Sequence, residues 1–121
     1  MKVIIAGSRK IEDYKLVVQA MERCGYEVTE VVCGMATGID RLGEMWAIAN
    51  GIPVKEMPAD WNRHGRAAGP IRNRQMAEYA DAAVIIWDGK SRGSRNMINE
   101  MIRKNKPYFV QLTESEDEPV E

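Results

Sequence analysis

Three short stretches of the 121-residue chain place glycine beside hydroxyl groups, and two of them add cations. They read GSR at residues 7–9, GMATGID at residues 34–40 and DGKSRGS at residues 88–94. Glycine lets the backbone turn sharply or approach a ligand, and serine hydroxyls and backbone N–H groups donate hydrogen bonds. The guanidinium fork of arginine matches the oxygens of a phosphate or a carboxylate. Together these residue types predict a site for an anionic group.

A fourth stretch, AGPIRNRQM, also points to a nearby anion, through Arg72. Pro70 is typical of the first position of a helix, so Arg72 is predicted in the first helical turn. The helix dipole disfavours a cation there by a few tenths of a kcal/mol up to about 1, unless an anion lies nearby. The anion could be a ligand phosphate or the carboxylate of Asp88, and the residues leave both readings open.

The loops supply a set of candidate ligand contacts. Asp40 and Asp88 could each accept a hydrogen bond from a ribose hydroxyl. Asp40 could equally complement a helix dipole, and Thr37 could be a helix N-cap. The candidate ligand-binding residues are Gly7, Ser8, Arg9, Gly34, Thr37, Gly38, Asp40, Arg72, Asn73, Asp88, Gly89, Ser91, Gly93 and Ser94.

Catalytic groups are sparse near these loops. Asp40, Glu44 and Asp88 are the carboxylates that the loops offer as candidates for chemistry on a bound ligand. His64, the single histidine, lies in a predicted loop. The residues form neither a nucleophile–base–orienter set nor a cluster of His, Cys and carboxylates suited to a metal. We therefore expect no metal and no cofactor.

The composition limits the range of partners. Seventeen Lys and Arg against eighteen Asp and Glu give a net charge of −1, so no general basic field attracts nucleic acid. The arginine-rich residues 60–74, with one tryptophan, are the feature that would suit a single strand. No apolar run approaches the roughly 20 residues of a membrane span, and we see no signal peptide. The two cysteines fit reduced thiols in the cytoplasm.

Alternating strands and helices position the loops. Apolar runs predict strands over residues 2–6, 28–33, 52–57, 82–87 and 107–112. Helices are predicted from Asp13 as cap to Gly25 as stop and over residues 38–50, 70–80 and 94–105, with residues 58–69 irregular. The alternation predicts an α/β, Rossmann-like three-layer fold with a mostly parallel sheet of about five strands and helices on both faces.

Domain organisation and the place of the site follow from this fold. With strand order 3-2-1-4-5, a ligand would bind beyond the carboxyl ends of the first and fourth strands. Residues 1–112 are expected to form one domain, and the acidic residues 113–121 a disordered tail.

Long motifs in the chain resemble the YspA/YpsA-like, cpYpsA-related branch of the SLOG superfamily. The resemblance is carried by GSR, G-x-A-x-G-x-D-R-L-G-E-x-W-A, A-D-W-x-R-H-G-R-A-A-G-P-I-R-N-x-x-M and W-D-G-K-S-x-G-S, within residues 3–110. It implies a Rossmann-like domain whose glycine loops bind a nucleotide or nucleotide-derived small molecule for sensing, sequestration or processing. It also implies an association with phage or stress systems.

The chain is also distantly similar to the Lonely Guy phosphoribohydrolases of the same superfamily. Arg72 matches their arginine ahead of a methionine-bearing helix, which implies that Arg72 faces a ligand phosphate. Met97 stands where those enzymes have a glutamate, and Glu100 comes one helical turn later. The resemblance keeps a nucleoside-monophosphate N-glycosidase as the alternative function, and it implies a homo-oligomer, either a dimer or a larger assembly.

Overall fold

A computed structural model describes residues 1–34 and 37–113 of the chain. The strands are β1 (Lys2–Gly7), β2 (Glu30–Cys33), β3 (Val54–Glu56), β4 (Ala82–Trp87) and β5 (Tyr108–Leu112). The helices are α1 (Tyr14–Arg23), α2 (Ile39–Ala49), α3 (Trp61–His64), α4 (Ala68–Tyr79) and α5 (Arg92–Arg103), with a 3₁₀ turn at Gly65–Ala67. No helix in the described part of the chain has the length and apolar character needed to cross a bilayer. The predicted tail lies outside the described residues from position 114 onward.

All strand pairs in the sheet are parallel, in the order β3-β2-β1-β4-β5. This order and the three-layer α/β architecture confirm the prediction from the sequence. A parallel pair needs a crossover connection long enough to hold a helix, which explains the alternation of strands and helices along the chain. The central strand β1 pairs with β2 on one side and with β4 on the other. The order of the strands therefore reverses between β1 and β4.

Two apolar clusters cover the two faces of the sheet. Successive side chains of a strand point to opposite faces, so Val3 and Ile5 join one cluster and Ile4 joins the other. The first cluster packs against α1 and α2, and the second packs against α4 and α5. This double covering explains why β1 and β4 are almost continuous apolar runs.

Several predicted boundaries hold, and others are wrong. Asp13 caps α1 as predicted, since its Oδ1 accepts a hydrogen bond of 3.0 Å from the N–H of Lys15. Residues 58–69, predicted to be irregular, contain α3 and the 3₁₀ turn, which continues directly into α4. Helix α4 therefore begins at Ala68, two residues before Pro70, and Arg72 lies in its second turn.

The start of α5 also differs from its prediction at Ser94. Ser91 is the N-cap, and its Oγ accepts a hydrogen bond from the N–H of Ser94 at 3.4 Å. Two serines three residues apart offer the chain two possible caps. The turn that Asp88 forms with the backbone of residues 90 and 91 decides between them, because it fixes Ser91 just ahead of the helix.

The carboxyl end of α4 is closed by a side chain from a distant part of the chain. The Lys106 ammonium donates hydrogen bonds to the carbonyls of Ala77, Glu78 and Ala80 at 2.8, 3.0 and 2.7 Å. The last carbonyls of a helix have no partner within it, and the negative end of the helix dipole favours a cation there.

Replacing Lys106 with methionine should lower the free energy of unfolding by about 1–2 kcal/mol, because it removes these bonds while keeping the aliphatic stem. The matched control is Lys104→Met, which removes a partly exposed ion pair of 3.2 Å with Glu78. That change should cost well under about 1 kcal/mol. Urea unfolding measures both, and equal losses would contradict the role assigned to Lys106.

Candidate functional site

A cleft of about 1250 Å³ opens at the carboxyl ends of β1 and β4, where the strand order reverses. Its floor is formed by the loop after β1 and by the amino end of α5. One wall belongs to α4 and α3, and the other belongs to the beginning of α1. A smaller cavity of about 330 Å³ lies beside it, and Arg9, Trp61 and Arg72 line both spaces.

The structure brings most of the predicted site residues to these two spaces. Those that line the cleft are Gly7, Ser8, Arg9, Asp40, Arg72, Asn73, Asp88, Ser91, Gly93 and Ser94. Gly34 and Thr37 line the smaller cavity with Arg9 and Arg72. Gly38, Gly89 and the catalytic candidate Glu44 line neither space among the described residues.

Ser8 joins the loop after β1 to its neighbours. It is buried, its N–H donates to the carbonyl of Ile86 at 3.1 Å, and its Oγ accepts from the N–H of Asp88 at 3.2 Å. The Ser8 carbonyl accepts hydrogen bonds from the N–H groups of Ile11 and Ile39 at 3.3 and 3.4 Å. One residue thus holds the ends of β1 and β4 together and ties both to the start of α2.

Two glycines make this close packing possible. A Cβ at Gly7 would lie 2.8 Å from the side chain of Ile39 and would also collide with the carbonyl of Ile86. Gly38 has a φ of +69°, and a Cβ there would lie 2.6 Å from the carbonyl oxygen of Ser8. Gly38 is also the N-cap of α2, so the alternative that Thr37 caps this helix is wrong. Both glycines are explained by contacts within the protein.

Asp88 closes the loop between β4 and α5. Its Oδ1 accepts hydrogen bonds from the N–H groups of Lys90 and Ser91 at 2.8 and 2.9 Å. Burial raises the pKa of this carboxyl, but these two bonds, with the contact to Ser8, outweigh burial and leave the pKa below its usual value. Asp88 is therefore ionised at neutral pH and holds the loop that begins α5.

The amino end of α5 faces the cleft through Ser91, Arg92, Gly93 and Ser94. The first turn of a helix directs N–H groups outward and carries a partial positive charge, which favours an anion. The indole N–H of Trp87 donates to the carbonyl of Ser91 at 3.0 Å, so the orientation of this turn is fixed from the sheet side.

Arg72 lies at the boundary between the two spaces and is only 8% exposed. Its Nη1 donates to the carbonyl of Gly34, and its Nε donates to Oδ1 of Asn73 at 3.0 Å. Asn73 in turn donates through Nδ2 to Oδ1 of Asn96 at 2.9 Å and to the carbonyl of Gly93 at 3.3 Å. This network joins the end of β2 to α4 and the first turn of α5.

Asp40 is the carboxylate whose negative charge raises the pKa of Arg72. Burial lowers the pKa of Arg72 and Arg9 lowers it further, while the negative charge of Asp40 opposes both. The guanidinium of Arg72 and Oδ2 of Asp40 both approach the α-carbon of Gly34, where a Cβ would lie 2.9 Å from that oxygen. The Arg72–Asp88 pairing that the sequence left open is replaced by this arrangement.

Several residues of the cleft are absent from the sequence-based set of candidates, and three of them bear on the site. Trp61, which the sequence places only in the arginine-rich segment, lines both spaces. Asn96 completes the hydrogen-bond network of Asn73, and Thr113 lines the cleft just beyond β5. Helical spacing places Asn96 one turn beyond Gly93 in α5, so this residue could have been found. The parallel pairing of β5 with β4 places Thr113 at the same edge, so it too could have been found. No pattern in the sequence brings Trp61 to the loops.

The acidic groups and thiols of the described part of the chain bear on metal binding and thiol chemistry. Residues 1–34 and 37–113 hold no group of three or more His, Cys, Asp or Glu that could bind a metal ion. Burial, with the nearby charges of Asp40, Glu44 and Glu56, raises the pKa of the Cys33 thiol. This thiol therefore stays protonated and unreactive at neutral pH.

Comparison with solved structures identifies the fold class. The chain superposes on DNA processing protein A (DprA) from Streptococcus pneumoniae with a TM-score of 0.77 and 19% sequence identity. The match covers 96% of this chain and 52% of that one, so the chain spans about half the length of DprA. The likeness establishes a shared Rossmann-like fold.

Comparison of sequences identifies the family. The chain is 31% identical over 118 residues to the Gene 61 protein of Mycobacterium phage D29, covering 89% of this chain and 94% of the phage protein. Residues 1–64 match the family described as YspA, cpYpsA-related SLOG (YAcAr). The chain belongs to this family, as the motifs in its sequence predicted.

The coupling between Arg72 and Asp40 can be measured by a double-mutant cycle. Arg72→Met leaves the carbonyl of Gly34 and Oδ1 of Asn73 without their donor, which should lower the free energy of unfolding by about 1–3 kcal/mol. In the Asp40→Asn background the same change should cost less, by about 0.5 kcal/mol or more. Urea unfolding of the four proteins gives the coupling, and strictly additive losses would contradict it.

Asp88 should make stability depend on pH in a defined direction. Its pKa is lower in the folded chain than in the unfolded one, so its ionised form stabilises the fold above the unfolded pKa of about 3.9. Asp88→Asn should therefore reduce stability at neutral pH, and the difference from the parent should fade as the pH falls below about 4. Thermal unfolding of both proteins from about pH 3 to about pH 7 checks this. A difference independent of pH would refute it.

Proposed function

We propose that this protein binds a nucleotide or nucleotide-derived small molecule in the cleft at the carboxyl ends of β1 and β4. The observation that carries the proposal is the convergence there of the amino end of α5, the exposed cation Arg9 and the ionised carboxylate Asp88. These groups suit a nucleotide, because it joins an anionic phosphate to a sugar with hydroxyl donors. Membership of the SLOG family agrees with such a ligand.

Each part of the cleft has a role in this proposal. The first turn of α5 would receive the phosphate through its N–H groups and partial positive charge, with Arg92 on its outer side. Arg9 would contact the ligand at the mouth of the cleft. Asp88 would accept a hydrogen bond from a ribose hydroxyl. Arg72 would contribute charge from the back of the cleft while Gly34 and Asn73 hold it in place.

The alternative function is hydrolysis of the bound nucleotide, as in a nucleoside-monophosphate N-glycosidase. It is supported by the presence of two carboxylates, Asp40 and Asp88, in the lining of the cleft. Glu44 lines neither space and is the weakest of the three candidates. Chromatography of the incubated nucleotides for free base or ribose 5-phosphate separates turnover from binding alone.

Location and self-association form a further part of the proposal. The free thiols of Cys24 and Cys33 support a reducing compartment such as the cytoplasm.

Met45 and Ile48, exposed on α2, support contact with a second copy of the chain. The similar protein of phage D29 supports an association with phage.

The binding proposal is tested by thermal shift with mono-, di-, tri- and cyclic nucleotides, and with a single-stranded oligonucleotide because the name of DprA refers to DNA. A ligand at 100 times its dissociation constant should add about 2.7 kcal/mol of stability, a shift of several degrees. Arg9→Ala should weaken binding roughly 10- to 150-fold, the range for a lost charge-assisted hydrogen bond.

The matched control is Arg23→Ala. Arg23 is exposed in the last turn of α1, at the opposite end of the sheet from the cleft, so its loss should leave binding unchanged. An absence of any shift with every nucleotide would overturn the proposal. Equal losses in the two variants would remove Arg9 from the site, and binding of the oligonucleotide alone, falling steeply with salt, would favour nucleic acid instead.

A further inference from the structure

Trp61 is the most exposed tryptophan of the chain and lies at the meeting point of the two spaces. It is 51% exposed, whereas Trp46 and Trp87 pack against the two apolar clusters. A large aromatic ring left in water at the mouth of a cleft is a common feature of binding sites, because covering it releases water from apolar surface.

The surroundings hold the indole in a defined place. Asp60 caps the short helix α3 by accepting a hydrogen bond of 3.1 Å from the N–H of Arg63. At Gly69 in α4, a Cβ would lie 3.6 Å from Cη2 of Trp61, so the edge of the ring rests close to the helix backbone. The ring is therefore supported along one edge while much of its surface stays open.

The guanidinium of Arg9 lies over the ring of Trp61, with its central carbon 5.7 Å from the ring centroid. A flat ring placed between them would need about 7 Å, two contacts at van der Waals distance. Arg9 is exposed, so its long side chain can move outward by the remaining distance of about 1 Å. Indole and guanidinium are both flat groups that stack on bases.

We propose that Trp61 and Arg9 form a stacking site for the base of the bound nucleotide, with the base between the indole and the guanidinium. The inference rests on the proposed function and narrows it, because the ligand must then carry a nucleobase as well as a phosphate. The base occupies the junction of the two spaces, and the sugar and phosphate extend across the cleft toward Asp88 and α5.

The test compares AMP, GMP, CMP and UMP with ribose 5-phosphate, which lacks a base, by titration calorimetry. The proteins are the parent, Trp61→Ala and Trp61→Phe, with Ile102→Ala as a matched loss of an exposed apolar side chain, near the far end of α5. Trp61→Ala should weaken nucleotide binding about 5- to 150-fold and leave ribose 5-phosphate unchanged. Trp61→Phe should restore most of the affinity, and Ile102→Ala should match the parent.

The outcomes separate this inference from the proposed function. If Trp61→Ala binds the nucleotides as tightly as the parent, the stacking site is overturned while nucleotide binding stands. If ribose 5-phosphate weakens as much as the nucleotides, Trp61 acts on the sugar phosphate and stacking is again overturned. If none of the four nucleotides binds the parent, the inference falls, and the proposed function falls with it when the wider panel is also negative.

Discussion

The end of β1 is held to β4 and α2 by hydrogen bonds of Ser8 and by packing so close that two positions must be glycine. Ser8 bonds to the carbonyl of Ile86 and to the N–H groups of Asp88 and Ile39, and Gly7 and Gly38 lie where a Cβ would collide. These contacts set the spacing of the loops whose residues line the cleft. The shape of the site is therefore fixed by the packing of the sheet itself.

A second layer of contacts orients the charged groups above this junction. Arg72 is held by Gly34 and Asn73, and Asn73 also bonds to the first turn of α5. Oδ1 of Asp88 accepts from two backbone N–H groups of its own loop. Both charged residues thus have structural partners in the protein, whereas the exposed side chains of Arg9 and Trp61 stand at the mouth. Of the proposed ligand contacts, Arg72 and Asp88 are therefore held in place by the protein, and Arg9 and Trp61 lie at the mouth of the cleft.

Much of the fold could be predicted from the sequence, because the signals are local. Apolar β-branched runs mark the strands, and the alternation of strands and helices indicates a parallel sheet. The predicted starts of α4 and α5 were wrong because neighbouring turns decided them: a 3₁₀ turn precedes Ala68, and the Asp88 turn selects Ser91 over Ser94 as cap. Local propensity does not distinguish such alternatives.

The site was predictable only where it follows from topology. Parallel strands bring the loops after β1 and β4 to one edge, so Ser8 and Asp88 could be placed together. The surroundings of Arg72 depend on tertiary structure, because α2 and α4 cover opposite faces of the sheet and yet bring Asp40 and Arg72 together at its carboxyl edge. Asp88 instead accepts hydrogen bonds from its own loop. The exposure of Trp61 likewise depends on how α3 packs against α4, and the spacing of residues along the chain does not predict it.

The parallel sheet also affects how the chain folds during synthesis. Ile5 in β1 pairs with Val84 in β4, so the central strand can pair on this side only after a much later part of the chain has been made. A nascent chain ending before β4 has one side of β1 uncovered, with its apolar face and open backbone edge available to other chains. Such long-range pairing slows folding. The cleft is thus completed only after β4 and α5 have left the ribosome.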